Sequence, residues 1–523
     1  MNDISLQRSD AGASTARGGR LQRLVYGWSA NLAQTLLGLS QQLLLIPAFL
    51  HFWSGEMLAA WFALYAAGSL MVVADSGLQL RAVNRFLAFK SCTDCDGRTA
   101  KLYRQMLRIY IGTVMVLGIL LVAGAQLWPP SSMLGFHPMP TFDAAFLAMT
   151  LGTLLTVPAN LVSGLYRVRG QYGRTVWLQN VALLLSQVAQ LLAVAAFGSL
   201  LAVAIAFVSM QVLFALFLIL LDAPRLFPFL RRGHFQRSPS VSWRWSVGQF
   251  RLAFPFAAAS ITELALVNVP VLLVSALVSD RIAVAQWGLT RVIASLVRGL
   301  CQQASMPLAA ELGHDYAVGD KERLRRLYAN GSALVTVLAS VIVAGLLAFW
   351  GDFFVLWTHG SIPYDAPLTV TLLLGSAAVA PSLLALVFAY HSNRGDLLVR
   401  TKGLQLIVFL VLSLVLIPTL GPLGAALAVV ASDVGVQFGL LALVIMSQTL
   451  QQWLRHAVFL LALSLTILLV GWCLGAFIAS LVPAVGLVHF LIECTIWSII
   501  LGLAASPLLA RRVRAHLMGI IPI

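Results

Sequence analysis

Fourteen mostly apolar runs dominate this chain, near residues 26–50, 58–80, 106–127, 144–166, 176–197, 199–221, 252–278, 282–304, 329–350, 367–390, 404–420, 422–446, 456–480 and 486–508. A helix rising ~1.5 Å per residue crosses the ~30 Å hydrocarbon layer in about 20 residues. Each run is therefore long enough to span a bilayer once. The joins at Gly198-Ser199 and Gly421-Pro422 have the residue types of tight turns. Composition agrees: 60% of the 523 residues are apolar and 10% charged, with a mean hydropathy of +0.90. A soluble core stops growing near ~250–300 residues and could not hide so much apolar surface. The expected fold is an all-α polytopic membrane protein. Disordered, collagenous, disulfide-scaffold and ordinary soluble-enzyme classes are excluded.

The net charge of +15 would suit nucleic acid, but the positions of the charges argue for a membrane topology and no nucleic acid. If all fourteen runs cross, 31 of the 34 Lys and Arg fall on one side. Arg281 lies on the other side, and Arg291 and Arg298 lie inside the eighth run. Basic residues accumulate on the cytoplasmic side, so both termini are expected there. The opposite loops are short and carry Glu56, Asp143, Asp280, Asp352 and Asp365. No Gly-x-x-x-x-Gly-Lys loop is present, which speaks against a fused ATPase. Residues 1–25 read as a disordered cytoplasmic tail, without the short apolar core and cleavage pattern of a signal peptide. Cys92 and Cys95 form a lone CxxC with no second pair nearby, too little for a zinc site. No cofactor is expected.

An internal repeat organises the runs. "LLLIPAFLHFWSGEMLAAWFAL" in the first two resembles "LVNVPVLLVSALVSDRIAVAQWGL" in the seventh and eighth, with Pro47 aligned to Pro270 and Trp61 to Trp287. An even number of runs separates the copies, so they share an orientation, the parallel-repeat plan of a two-lobed transporter. The expected domains are a six-helix lobe over 26–235, a second over 236–450, two added helices over 451–510 and a cytoplasmic tail over 511–523.

Polar groups at bilayer depth are costly and face a bundle interior or a watery cavity. Asn31, Gln34, Thr35, Gly38, Gln41 and Gln42 make one helical stripe in the first run; Asn180, Gln187 and Gln190 repeat the theme in the fifth. These amides serve either as interhelical glue or as the lining of a solvated lumen. Arg291 and Arg298, seven apart, share a face about 10.5 Å apart along the axis, with Ser295 and Gln302 beside them. Two guanidinium groups there suit an anion site, because their planar forks match phosphate oxygens. Pairing of Arg291 with Glu263 is the structural alternative. Glu263, in mid-run, is a candidate for a proton or Na⁺ site. Asp75 fits a helix-end ion pair or ion coupling, and Asp433 and Glu493 (the latter with His489) are further acids at depth.

The stretch "NLAQTLLGLSQQLLLIPAFLHFWSGEMLAAWFALYAAGSLMVVADSGLQLRAVNRF" resembles the opening of Wzx-type polysaccharide flippases, as do "YRVRGQYGR", "GDKERLRRLY" and "LGPLGAALAVVASDVG" further on. These belong to the multidrug/oligosaccharidyl-lipid/polysaccharide exporter superfamily. The resemblance implies two six-helix lobes in a V around a central cavity. It implies alternating access that flips an undecaprenyl-diphosphate-linked oligosaccharide across a bacterial inner membrane for O-antigen or exopolysaccharide synthesis. A polysaccharide polymerase and a chain-length regulator would then be partners, beside membrane lipids and H⁺ or Na⁺. Arg298 would meet the diphosphate first and Arg291 hold it deeper. Asn31, Gln34, Gln41 and Gln302 would bind sugar hydroxyls, and Glu263, Asp75 and Asp433 would couple an ion. A lipid II flippase fits less well, since the first two runs hold no Arg at depth. A cation-coupled multidrug antiporter fits less well for its usual twelve spans. No enzymatic chemistry is expected.

The topology is directly testable. Reporters fused at positions 90, 240, 320 and 398 should read cytoplasmic, and those at 54, 135 and 358 periplasmic. One swapped reading would break the fourteen-span assignment, because span parity couples them all.

Overall fold

The computed structural model describes residues 26 and 29–522, except 42, 76, 91, 138, 232–242, 393, 482–485 and 511–520. The N-terminal tail, most of the C-terminal tail, the middle of the long basic loop and Gln42 therefore lie outside the described residues. Every regular element among the described residues is helical, as expected where lipid offers backbone groups no partner. We number the main helices α1 (Ser29–Phe52), α2 (Gly55–Leu70), α3 (Leu78–Phe89), α4 (Cys95–Leu127), α5 (Phe142–Val168), α6 (Tyr172–Phe197) and α7 (Leu200–Leu226). The chain continues through α8 (Trp243–Leu277), α9 (Arg281–Val318), α10 (Lys321–Thr358), α11 (Ala366–His391) and α12 (Gly395–Leu420). It closes with α13 (Pro422–Thr449), α14 (Trp453–Leu481) and α15 (Leu487–Ala505).

Thirteen stretches are long and apolar enough to cross a membrane among the described residues, with α2 and α3 counting as one. The exception is α9, the eighth expected span. It is a 38-residue helix, but Arg291 and Arg298 lower its hydropathy. Several helices outrun their apolar runs: α8 has 35 residues and α10 has 38. The helical ladder does not stop where the apolar residues do, and polar extensions continue it.

Local chemistry sets the helix ends. Gly198 closes α6 at φ 60° and Ser199 caps α7 by accepting from Ala202 N at 3.2 Å. Gly421, at φ 57°, turns α12 into α13, with Pro422 in the first helical turn. Two of the acids expected in the short loops, Asp280 and Asp365, are helix N-caps. Asp280 accepts from Ile282 N at 2.9 Å and Asp365 from Leu368 N at 3.0 Å. Asp143 accepts from the backbone and hydroxyl of Ser131 at 2.7 and 2.8 Å.

The chain divides into two compact units: residues 1–52 with 67–257, and residues 53–66 with 258–523. The first unit packs Tyr110, Leu161, Leu165, Tyr166 and Leu218 into its core. Asp222 fastens three of its helices: Tyr166 donates to it at 2.5 Å, and Arg174 grips both oxygens at 3.1 and 2.5 Å. In the second unit α11 is the central helix, buried along most of its length. The early segment 53–66 is built into this unit through close contacts. A Cβ at Gly288 would meet the Phe62 ring at 2.4 Å, and one at Gly55 would meet Ile362 at 2.6 Å. Both units carry a π-helical segment in a matching helix, Phe217–Asp222 in α7 and Asp433–Ala442 in α13. Each segment ends or begins on a salt-bridged Asp.

Helix α14 docks on α10 through small residues. Gly471 and Gly475, four apart, face Ala344 and Ala348, with an added Cβ only 2.6 and 2.3 Å from the alanine methyls. This is the close backbone approach by which apolar helices associate in lipid. Gly475→Leu should therefore lower the thermal stability of the purified protein by about 1–3 kcal/mol, and Ala348→Gly should restore part of the loss. An unchanged melting temperature would mean that α14 docks otherwise.

Candidate functional site

The expected span over 404–420 begins inside a longer helix, since α12 starts at Gly395. Lys402 is consequently two turns into the helix, not in a loop. It is 1% exposed. Its ammonium donates to Glu263 Oε1 at 2.5 Å, Gln405 Oε1 at 3.0 Å and Gln437 Oε1 at 2.7 Å. Three acceptors satisfy the three protons of an ammonium group. Gln405, one turn on, donates to Asp433 Oδ1 at 2.6 Å, and Arg298 donates to the other Asp433 oxygen. Gln437 donates to Ser382 Oγ at 2.8 Å. The backbone of Lys402 also accepts from Thr262 Oγ1 at 3.2 Å.

Five helices of the second unit, α8, α9, α11, α12 and α13, thus meet in one polar network. Its two cations and two anions cancel, as buried charges must at tolerable cost. Spacing makes this possible locally. Lys402 and Gln405 are three apart on α12, and Asp433 and Gln437 are four apart within the π segment of α13. Such wide turns recur where a helix carries function.

The structure separates the two arginines that the sequence placed on one face. Arg298 is bound to Asp433. Arg291, about 10.5 Å away along α9, has no carboxylate partner among the described ion pairs. It donates to Val267 O at 2.5 Å and to Asn268 Oδ1 at 3.4 Å, and its Nε is buried with no hydrogen-bond partner. The pairing of Arg291 with Glu263 is not formed, because Lys402 reaches Glu263 instead. Tyr65 lies within electrostatic reach of Arg291. Gln302 is half-buried one turn past Arg298, outside the network.

The remaining candidates lie in the first unit or at the far end of the second. Asn31 accepts from Tyr172 at 3.0 Å; Gln34 is exposed and Gln41 half-buried. Asn180 and Gln187 donate to carbonyls of α1, Ala30 O at 2.8 Å and Leu37 O at 2.9 Å, so these two are interhelical glue. Asp75 accepts from Tyr110 and, among the described residues, forms no ion pair. It is not part of the Glu263–Asp433 network. Glu493 is buried with neither carboxylate oxygen hydrogen-bonded, on α15 between Phe490 and Trp497, which meet Phe353 and Phe349 of α10. Cys95 opens α4, and no metal-holding cluster occurs among the described residues.

The network makes a firm forecast. Lys402→Met removes the buried cation and strands the half-buried Glu263 carboxylate, which should cost about 1–3 kcal/mol in unfolding stability. Adding Glu263→Gln to the same chain should recover most of that loss. Independent, additive effects of the two changes would show that the pair does not act as a unit.

No protein-family model matches the sequence, and no curated protein matches it. Solved structures do. The lipid II flippase MurJ, in an inward closed conformation, superposes with a TM-score of 0.70 at 12% identity, over 93% of this chain and 100% of that one. An inward-facing multidrug resistance MATE family transporter of the MOP superfamily gives 0.54 at 14% identity, over 85% and 98%. The eukaryotic MATE transporter AtDTX14 gives 0.52 at 14% identity, over 86% and 98%. At these identities the likeness is one of fold: this chain is folded like the transporters and flippases of the MOP superfamily.

Proposed function

We propose that this chain is a flippase that moves an undecaprenyl-diphosphate-linked oligosaccharide across a bacterial inner membrane, and that Arg291 holds the diphosphate. The observation that carries this reading is the unequal pairing of three cations at depth, Lys402, Arg298 and Arg291. Lys402 and Arg298 are each matched by a carboxylate, Glu263 and Asp433. Arg291 is oriented by a carbonyl and an amide oxygen that leave its positive charge in place. A guanidinium fixed in this way, ten residues into a long helix, is a ready partner for a diphosphate. Sugar hydroxyls would be met by amides such as Gln34 and Gln41, and by Gln302 near the paired Arg298. Asn31, already held by Tyr172, would contribute its remaining hydrogen-bonding capacity. Outward passage of the anionic head is favoured by an inside-negative potential, at ~2.3 kcal/mol per charge per 100 mV. Ion coupling would run through Glu263 and Asp433: a proton on either carboxylate releases its cation and unbalances the network. Asp75 would act separately within the first unit.

Lipid II as cargo is a second reading, favoured by the TM-score of 0.70 with MurJ. It shares the anionic head and the demand on Arg291.

In proteoliposomes loaded with a defined lipid-linked oligosaccharide, Arg291→Ala should keep normal abundance and lose most transport, and Arg291→Lys should retain part of it. The same vesicles with lipid II decide between cargoes, and imposed pH and Na⁺ gradients decide whether an ion is coupled. Arg291→Ala with wild-type transport of both lipids would end the diphosphate assignment.

A further inference from the structure

Two cavities in the first unit lie along the same pair of helices. One, of about 300 Å³, is lined by Arg85 of α3, Arg98, Lys101 and Gln105 of α4, and Trp245 of α8. The other, of about 440 Å³, is lined by Arg108, Ile109, Gly112 and Val116 of α4, with Trp243 and Phe250 of α8. The first is cationic and the second is apolar, and they follow each other along α4. Among the described residues, Arg85, Arg98 and Lys101 form no salt bridge. The acids closest in sequence are engaged elsewhere: Asp94 accepts from Gly97 N at 3.2 Å, and Asp96 pairs with Arg169 at 2.6 Å.

The depth of these groups follows from helix length. Trp128, 66% exposed, stands just past the end of α4. Twenty residues earlier is Arg108, and about 20 residues span the ~30 Å hydrocarbon layer. Arg108 therefore marks the opposite boundary. Lys101 and Arg98 follow about 10 and 15 Å beyond it, where long side chains reach headgroup phosphates. Trp243, 79% exposed, has the position of an interfacial anchor. On the hydrocarbon side, a Cβ at Gly112 would meet no atom within 4 Å, so the apolar half is open at that residue.

We propose that this groove is a binding site for one anionic phospholipid of the bilayer. Its phosphate is held by Arg85, Arg98 and Lys101, and an acyl chain lies along α4 from Ile109 to Val116 beside Trp243 and Phe250. Continuity of the cationic and apolar halves on one helix favours a lipid over a free anion, which would use only the first half. Basic pockets between membrane helices on the positively flanked side recognise such headgroups.

The test uses the purified full-length protein in detergent, with native mass spectrometry of phosphatidylglycerol against phosphatidylcholine and melting curves with either lipid. The wild type should retain phosphatidylglycerol preferentially and be stabilised by it. Arg85→Gln, Arg98→Gln and Lys101→Gln combined should weaken that binding on the order of a hundredfold. Gly112→Phe fills the apolar half, touches no cation, and should weaken it as well. Inorganic phosphate should not reproduce the stabilisation. Equal retention of the two lipids, a triple variant that keeps the preference, or full stabilisation by phosphate alone would each overturn the proposal.

Discussion

The second unit depends on the cancellation of charge around Lys402. A lone ammonium taken from water to a low-dielectric interior would cost several kcal/mol. Here it arrives with three oxygen acceptors, one of them ionised. Each helix in the network supplies something another cannot do without. Helix α12 brings the cation, α8 the counter-charge, and α13 the carboxylate that also holds Arg298 of α9. The network fixes the register of these helices more sharply than apolar packing alone, since one residue of rotation would leave a charge unmatched. Among the described residues it also leaves Arg291, on the same helix as Arg298, without a carboxylate partner.

Much of the architecture was legible in the sequence because hydropathy and turn chemistry are local signals. The apolar runs, the turns at Gly198 and Gly421, and the shared face of Arg291 and Arg298 all follow from spacing. What could not be read is which charges meet. Lys402 follows Arg400 in a basic stretch and looked like the end of a loop, because its burial depends on helix α12 starting several residues earlier than its apolar run. Its partner Glu263 is 139 residues away in sequence, and no periodicity carries that information. Asp433 was visible as an acid at depth, but its choice of Arg298 over solvent or an ion is set by how α9 and α13 pack. The Gly471 and Gly475 pair was readable in principle as a small-residue motif and marks the docking of α14.

Each unit has one π segment with an Asp at an end, the last residue in the first unit and the first residue in the second, and each Asp is paired with an Arg. The two units use this device differently. In the first unit Asp222 fastens helices together at a helix end. In the second, Asp433 is joined to a polar chain that runs through the interior.

The assignment of residues 53–66 to the second unit also bears on time. Phe62 and Gly55 emerge early in synthesis, yet the groups they pack against, Gly288, Ile282 and Ile362, are made much later. Between Ala66 and Ala258 lie about 190 residues, which at ~5–20 residues per second take roughly 10–40 s to synthesise. Through that interval the start of α2 is a membrane segment without its permanent neighbours. The second unit therefore cannot be completed as a continuous piece of nascent chain, and its assembly has to recover a helix laid down near the beginning.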